Sequence, residues 1–230
     1  MRTPILAALA AAAVMTLALP AAAGLEDLTS REAVSGLKAA LEKGSQAAIA
    51  ALGRSDGFFG NPQVKIPLPA SLERAERLLR RVGMGGYADE LILGMNRAAE
   101  SAVPEARALL LDSIRRMSVQ DAKGILTGGE TAATEYFRRT TRERLHARFL
   151  PIVEKATARV KLAQTYEQYA DQAAAVGLLK KEDADLDAYV TAKALDGLYF
   201  MIAEEEKKIR KDPVAAGSAI LRKVFGAIGH

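Results

Sequence analysis

Glu100 follows Arg97 by three residues and Asn96 by four within a largely apolar stretch, so one turn of helix sets a carboxylate beside a guanidinium or an amide. Lys193 and Asp196 repeat the arrangement among Tyr189, Val190, Leu195 and Leu198. If the two helices pack together, Arg97/Glu100 and Lys193/Asp196 form one polar pocket, a setting in which burial tunes a carboxylate for acid/base work. Buried charge must also be paired for purely structural reasons, and that reading of the four residues is favoured. Phe58 and Phe59, adjacent on a glycine-flanked loop, are the other candidates. As core plugs they tie two helices together, and as projecting rings they line a groove. Adjacent residues on extended backbone point to opposite sides, so one buried ring and one accessible ring are expected.

Other chemistries fail on spacing. Gly124-Ile125-Leu126-Thr127-Gly128-Gly129-Glu130-Thr131 has phosphate-loop glycines, but Glu130 stands where that motif needs lysine and no strand precedes it. Ser101, Ser113 and Ser118 lack a glycine-flanked elbow and a histidine partner, which argues against a serine hydrolase. There is no cysteine, hence no thiol nucleophile, thiolate metal site or disulfide. His146 and His230 are isolated and make no metal site. Arg138, Arg139, Arg142, Arg144 and Arg148 scatter around a helix among Glu135 and Glu143 and read as a solvated face. Glu204-Glu205-Glu206-Lys207-Lys208 offers Glu204/Lys208 and Glu206/Arg210 pairs, the device of an exposed helix. No catalytic residue, metal or cofactor is assigned.

The elements that must position these residues are helices, since alanine, leucine, glutamate, lysine and arginine dominate and alternating β-branched runs are almost absent. Thr29 with Glu32 opens a helix over roughly 30–52, and a second runs from near Ala70 to Gly83. A third starts at Tyr87 and is kinked or restarted at Pro104. Ser118 with Asp121 opens a short helix, and a long one begins at about Glu130, bends at Pro151 and continues toward Gly177. Asp183 or Asp185 caps a helix to about Lys211, and Asp212-Pro213 starts the last one, ending at Gly226. Between the first two helices the prolines and glycines of Asp56 to Pro69 enforce a tight loop and then an extended strap. The fold class is all-α: one multi-helix bundle domain with one Pro/Gly-rich strap.

Residues 1–23 read as a secretory signal peptide, with Arg2 as n-region, Ile5 to Leu19 as apolar core and Ala21-Ala22-Ala23 as the cleavage site. The remaining 24–230 form the single domain, with no membrane span after cleavage. A formal charge of +4, from 32 basic and 28 acidic residues intermixed, is too mild for nucleic acid, although a local basic face suits anionic lipid head groups.

The strap, Met95 to Glu100, Asp121 to Leu126, Leu186 to Thr191, Lys193 to Leu198, Ile202 to Ile209 and Lys223 to Gly226 together resemble the bacterial domain-of-unknown-function family 4197. The resemblance spans nearly all of the mature chain. It implies an all-α domain in the envelope of a Gram-negative bacterium, and it brings no catalytic residue, ligand or partner. The resulting expectation is a non-enzymatic periplasmic binding protein for an apolar small molecule or lipid, or for another envelope protein. The binding candidates are Phe58, Phe59, Asn96, Arg97, Glu100, Tyr189, Lys193 and Asp196. An acid/base enzyme using Glu100 or Asp196 and a purely structural adaptor are the alternatives.

Overall fold

The computed structural model describes residues 30–81, 83, 85–159 and 185–213. The expected signal peptide, the stretch toward Gly177 and the final helix past Pro213 lie outside them. Among the described residues there are seven α-helices and no strand: α1 Ser30–Leu52, α2 Glu73–Arg81, α3 Gly85–Ala102, α4 Ala106–Arg116, α5 Val119–Thr127, α6 Ala132–Thr157 and α7 Leu186–Lys211. The domain is all-α.

Local chemistry sets most of the boundaries. Gly83, with φ of 77°, follows α2 in the left-handed conformation that ends helices at little cost for glycine. Helix α3 starts at Gly85, two residues before the expected Tyr87, because the glycine pair can enter the first turn. Pro104 lies in a 3-10 turn over Val103–Glu105 that leads into α4, where a missing amide proton is tolerated. Ser118 and Asp121 form a full capping box on α5, and Ser118 holds the Asp121 carboxyl below the usual carboxylate range. Asp185 caps α7 by accepting from the Ala188 amide at 2.8 Å.

Helix α7 is the hub, packing on α1, α3 and α6. Its buried face carries Leu186, Val190, Ala194, Leu195, Leu198, Tyr199 and Ile202, the spacing of one helical stripe. Phe137, Leu145, Phe149 and Val153 of α6 close the same core, together with Met95, Ala98 and Ala99 of α3. The Tyr199 hydroxyl shares a 2.9 Å hydrogen bond with Thr141, and burial raises that phenol above its ordinary pKa.

The start of α6 is capped from a distance. Thr131 occupies the N-cap position without a side-chain cap bond. Glu206 of α7 instead accepts from the Ala133 and Thr134 amides, each at 2.9 Å, and from the Thr134 hydroxyl at 2.8 Å. A carboxylate there satisfies two orphan donors and faces the positive end of the helix dipole. Glu206 does pair with Arg210, but it is buried, so one carboxylate of this charge run turns inward while Lys207 and Lys208 stay exposed. The expected Glu204/Lys208 pair is replaced by Lys207/Glu204 and Lys208/Glu205, each three residues apart.

Candidate functional site

Between α1 and α2 the chain leaves helical geometry. Asp56 takes φ of 64°, tolerable for aspartate, and turns closed by Gly57 N–H to Arg54, Gly60 N–H to Asp56 and Asn61 N–H to Phe58 fold the loop. Gly57 is obligatory in this turn because a Cβ there would run into the Leu52 carbonyl. The Asn61 side chain accepts from Gln63 N–H, and its carbonyl accepts from Val64 and Lys65, before the strap continues through Ile66 to Pro69.

Side chains of the helices fix the strap where no ladder can. Glu100 Oε1 accepts from the Phe58 and Phe59 amides at 3.0 and 3.1 Å, while its Oε2 accepts from Arg97 at 2.7 Å. Asn96 clasps Ile66 from both sides, accepting its amide at 2.8 Å and donating to its carbonyl at 2.9 Å. Tyr189 donates to the Pro67 carbonyl at 3.1 Å, and burial raises its phenol above the ordinary range. Arg97 also reaches Asp56 at 2.8 Å, and its two carboxylate partners raise its pKa further.

The two phenylalanines differ. Phe58 is fully buried, its ring so close to Gly197 of α7 that a Cβ there would stand 2.6 Å from Cε1. That close approach is why a glycine interrupts the apolar face of α7. Phe59 is half-buried, with Lys65 Nζ 4.2 Å from its ring centroid and the Arg97 guanidinium 5.9 Å away.

Helices α3 and α7 pack, yet Arg97/Glu100 and Lys193/Asp196 do not form one network. Glu100 is turned to the strap, whereas Asp196 is exposed and faces Arg142 at 3.1 Å and Arg138 at 3.8 Å. Among the described residues Lys193 makes no ion pair, and it lies 5.7 Å from the Tyr189 ring centroid. The arginines of α6 are likewise tied to other elements, Arg144 to Asp112 at 3.0 Å and Arg139 to Asp121 at 3.8 Å.

Two of the concavities adjoin these residues. One, of about 290 Å³, lies between the strap and α7, with Val64, Ile66, Gly197 and Phe200 as its apolar lining and Lys65, Lys193 and Asp196 as its charged rim. The other, of about 540 Å³, runs between α3 and α6 past Leu93, Gly94, Ile152 and Ala156, with Arg97, Lys155 and Arg159 beside it. Phe200 and Gly197 were not singled out from the sequence, and the one available signal was glycine within an apolar helical stripe. Among the described residues no group of histidine and carboxylate side chains could hold a metal ion, and no helix is long and apolar enough to cross a membrane.

A family model described as Protein of unknown function (DUF4197) matches residues 27–226. No curated protein and no solved structure matches the chain.

Proposed function

For a chain that belongs to the DUF4197 family of unknown function, we propose a non-enzymatic role in binding, with the cleft between strap and α7 as the recognition site. One observation carries this reading. Hydrogen bonds to Glu100 fix the loop, and those to Asn96 and Tyr189 fix the extended strap that follows, so its outer side is a preorganised surface, and preorganisation lowers the entropy cost of binding. Phe200, an exposed part of the cleft's apolar lining, supplies apolar contact there.

The acid/base alternative has weaker support. Both oxygens of Glu100 already accept from backbone amides or Arg97, and Asp196 stands in solvent against two arginines. A second reading draws on the larger groove between α3 and α6, whose Leu93, Gly94, Ile152 and Ala156 suit an apolar chain, and native mass spectrometry of protein purified with its bound lipids tests it.

The strap cleft is tested by photo-crosslinking in cells expressing the full chain, with benzoyl-phenylalanine in place of Phe200 or, as control, of the exposed Val119 on α5. An adduct at position 200 and none at 119 is expected. Equal labelling at both positions, or none at 200, removes the cleft as a recognition site.

A further inference from the structure

We propose that the strap cleft docks the domain on anionic phospholipid, the lipid phosphate between Lys65 and Lys193 and the Phe200 ring at the interface; this rests on the cleft being the recognition site. Three observations point to this occupant.

First, the cations at the cleft are not engaged by carboxylates of the described residues. Among these, Lys65 and Lys193 make no ion pair, and each ammonium lies over a ring, Phe59 and Tyr189 respectively. A ring face attracts a cation without neutralising it, so both charges remain available to an anion. Asp196, the acidic side chain in the lining, is engaged with Arg142 and Arg138, and Asp89, whose charge Lys65 also senses, is bridged by Arg80 at 2.6 Å. Second, Phe200, 36% exposed, lines the same cleft as these lysines, and half-buried Phe59 adjoins Lys65, a mixture of rings and lysines of the kind that anchors proteins at a lipid interface. Third, the strap is a poor template for an extended peptide. Strand addition needs free backbone donors and acceptors, but the amides of Val64, Lys65 and Ile66 and the carbonyls of Ile66 and Pro67 are bonded within the protein, and Pro67 has no amide proton. Recognition falls to side chains, and these are cationic and aromatic.

The test is co-sedimentation of the purified chain with vesicles of phosphatidylcholine alone and with vesicles carrying about one third phosphatidylglycerol, a composition that supplies a negative surface potential. The chain should sediment with the anionic vesicles only, and about 1 M salt, which cuts the Debye length to about 3 Å, should release it. Lys65→Gln with Lys193→Gln should weaken partition about thirty-fold, the effect of two interfacial lysines. Lys123→Gln with Lys211→Gln removes the same charge elsewhere on the surface and should change it less than about three-fold. Phe200→Ala should cost about five-fold through lost apolar contact. Circular dichroism melts confirm that each variant is folded. Equal binding to both vesicle types, or equal losses in the two lysine pairs, overturns the proposal. A crosslink from position 200 to a protein, with vesicles unbound, also overturns it while the cleft reading stands; no adduct at 200 and no vesicle binding removes both.

Discussion

Glu100 and Glu206 each reach from a helix to two consecutive backbone amides far away in the chain, yet the regions they hold differ. Glu206 completes a regular element, because the first turn of α6 has orphan donors whatever its sequence, and the carboxylate meets them with Arg210, itself only 15% exposed, as counter-ion. Glu100 defines an irregular element. No repeating bond pattern sets the strap's path, so the Phe58 and Phe59 amides take their positions from the carboxylate, whose partner Arg97 is 40% exposed and shared with Asp56. The same chemistry therefore finishes a helix in one place and substitutes for secondary structure in the other. Removing it should fray the first and release the second.

The largest expected effect tests how firmly the strap belongs to the core. Phe58→Ala should cost about 3–5 kcal/mol in denaturant melts, because the ring is fully buried against Gly197 and leaves a cavity. A loss below about 1 kcal/mol would show the strap to be peripheral.

Next come the two carboxylates. Glu206→Ala should destabilise by about 3 kcal/mol, leaving two amides without their acceptor and taking a carboxylate at 2.8 Å from the nearly buried Arg210. Glu100→Ala should cost about 2 kcal/mol, since Arg97 keeps Asp56 and reaches solvent. Amide hydrogen exchange separates them: acceleration should be confined to Ala133 and Thr134 in the first variant, and to Phe58, Phe59 and their neighbours in the second. Acceleration of both regions by either change would dissolve the contrast.

A third carboxylate sharpens it, since among the described residues no arginine pairs with it. Asp187 accepts from the Thr157 hydroxyl at 2.5 Å, and burial pushes its pKa above the ordinary value, opposed by that bond and reinforced by Asp185 and Glu154. Its proton is held more tightly in the fold, so the stabilisation is complete below the unfolded pKa of about 3.9 and is lost as pH rises through the folded one. Asp187→Asn should therefore gain stability relative to wild type as pH rises from about 4 to 7. A difference that stays flat with pH would show that burial does not govern this carboxyl.

The smallest effects belong to the strap's outer side. Phe59→Ala and Tyr189→Phe should each cost less than about 1 kcal/mol, the first losing a half-exposed cation contact and the second one solvent-accessible hydrogen bond. A loss from Phe59→Ala equal to that from Phe58→Ala would place both rings in the core and leave this loop no accessible ring.

The helices were legible because their determinants are local. Ser118 lies three residues from Asp121, and Asp185 three from Ala188, while the α7 stripe recurs every three or four positions, all within reach of one or two turns. The pairing of Arg97 with Glu100 was legible for the same reason. What the pair is for was not, nor was the turn of Asp196 toward Arg142 and Arg138 rather than toward the Arg97/Glu100 pair. Glu206, which looks like one more charge on an exposed helix, caps amides 72 and 73 residues earlier. Gly197 is required by a ring that enters from the strap. Sequence by itself determined where the chain coils, because helix bonds and caps join neighbours. Only the tertiary structure decided which carboxylates became structural and which face carries lysines set over rings, because those outcomes depend on what packing brings within hydrogen-bond distance across the chain.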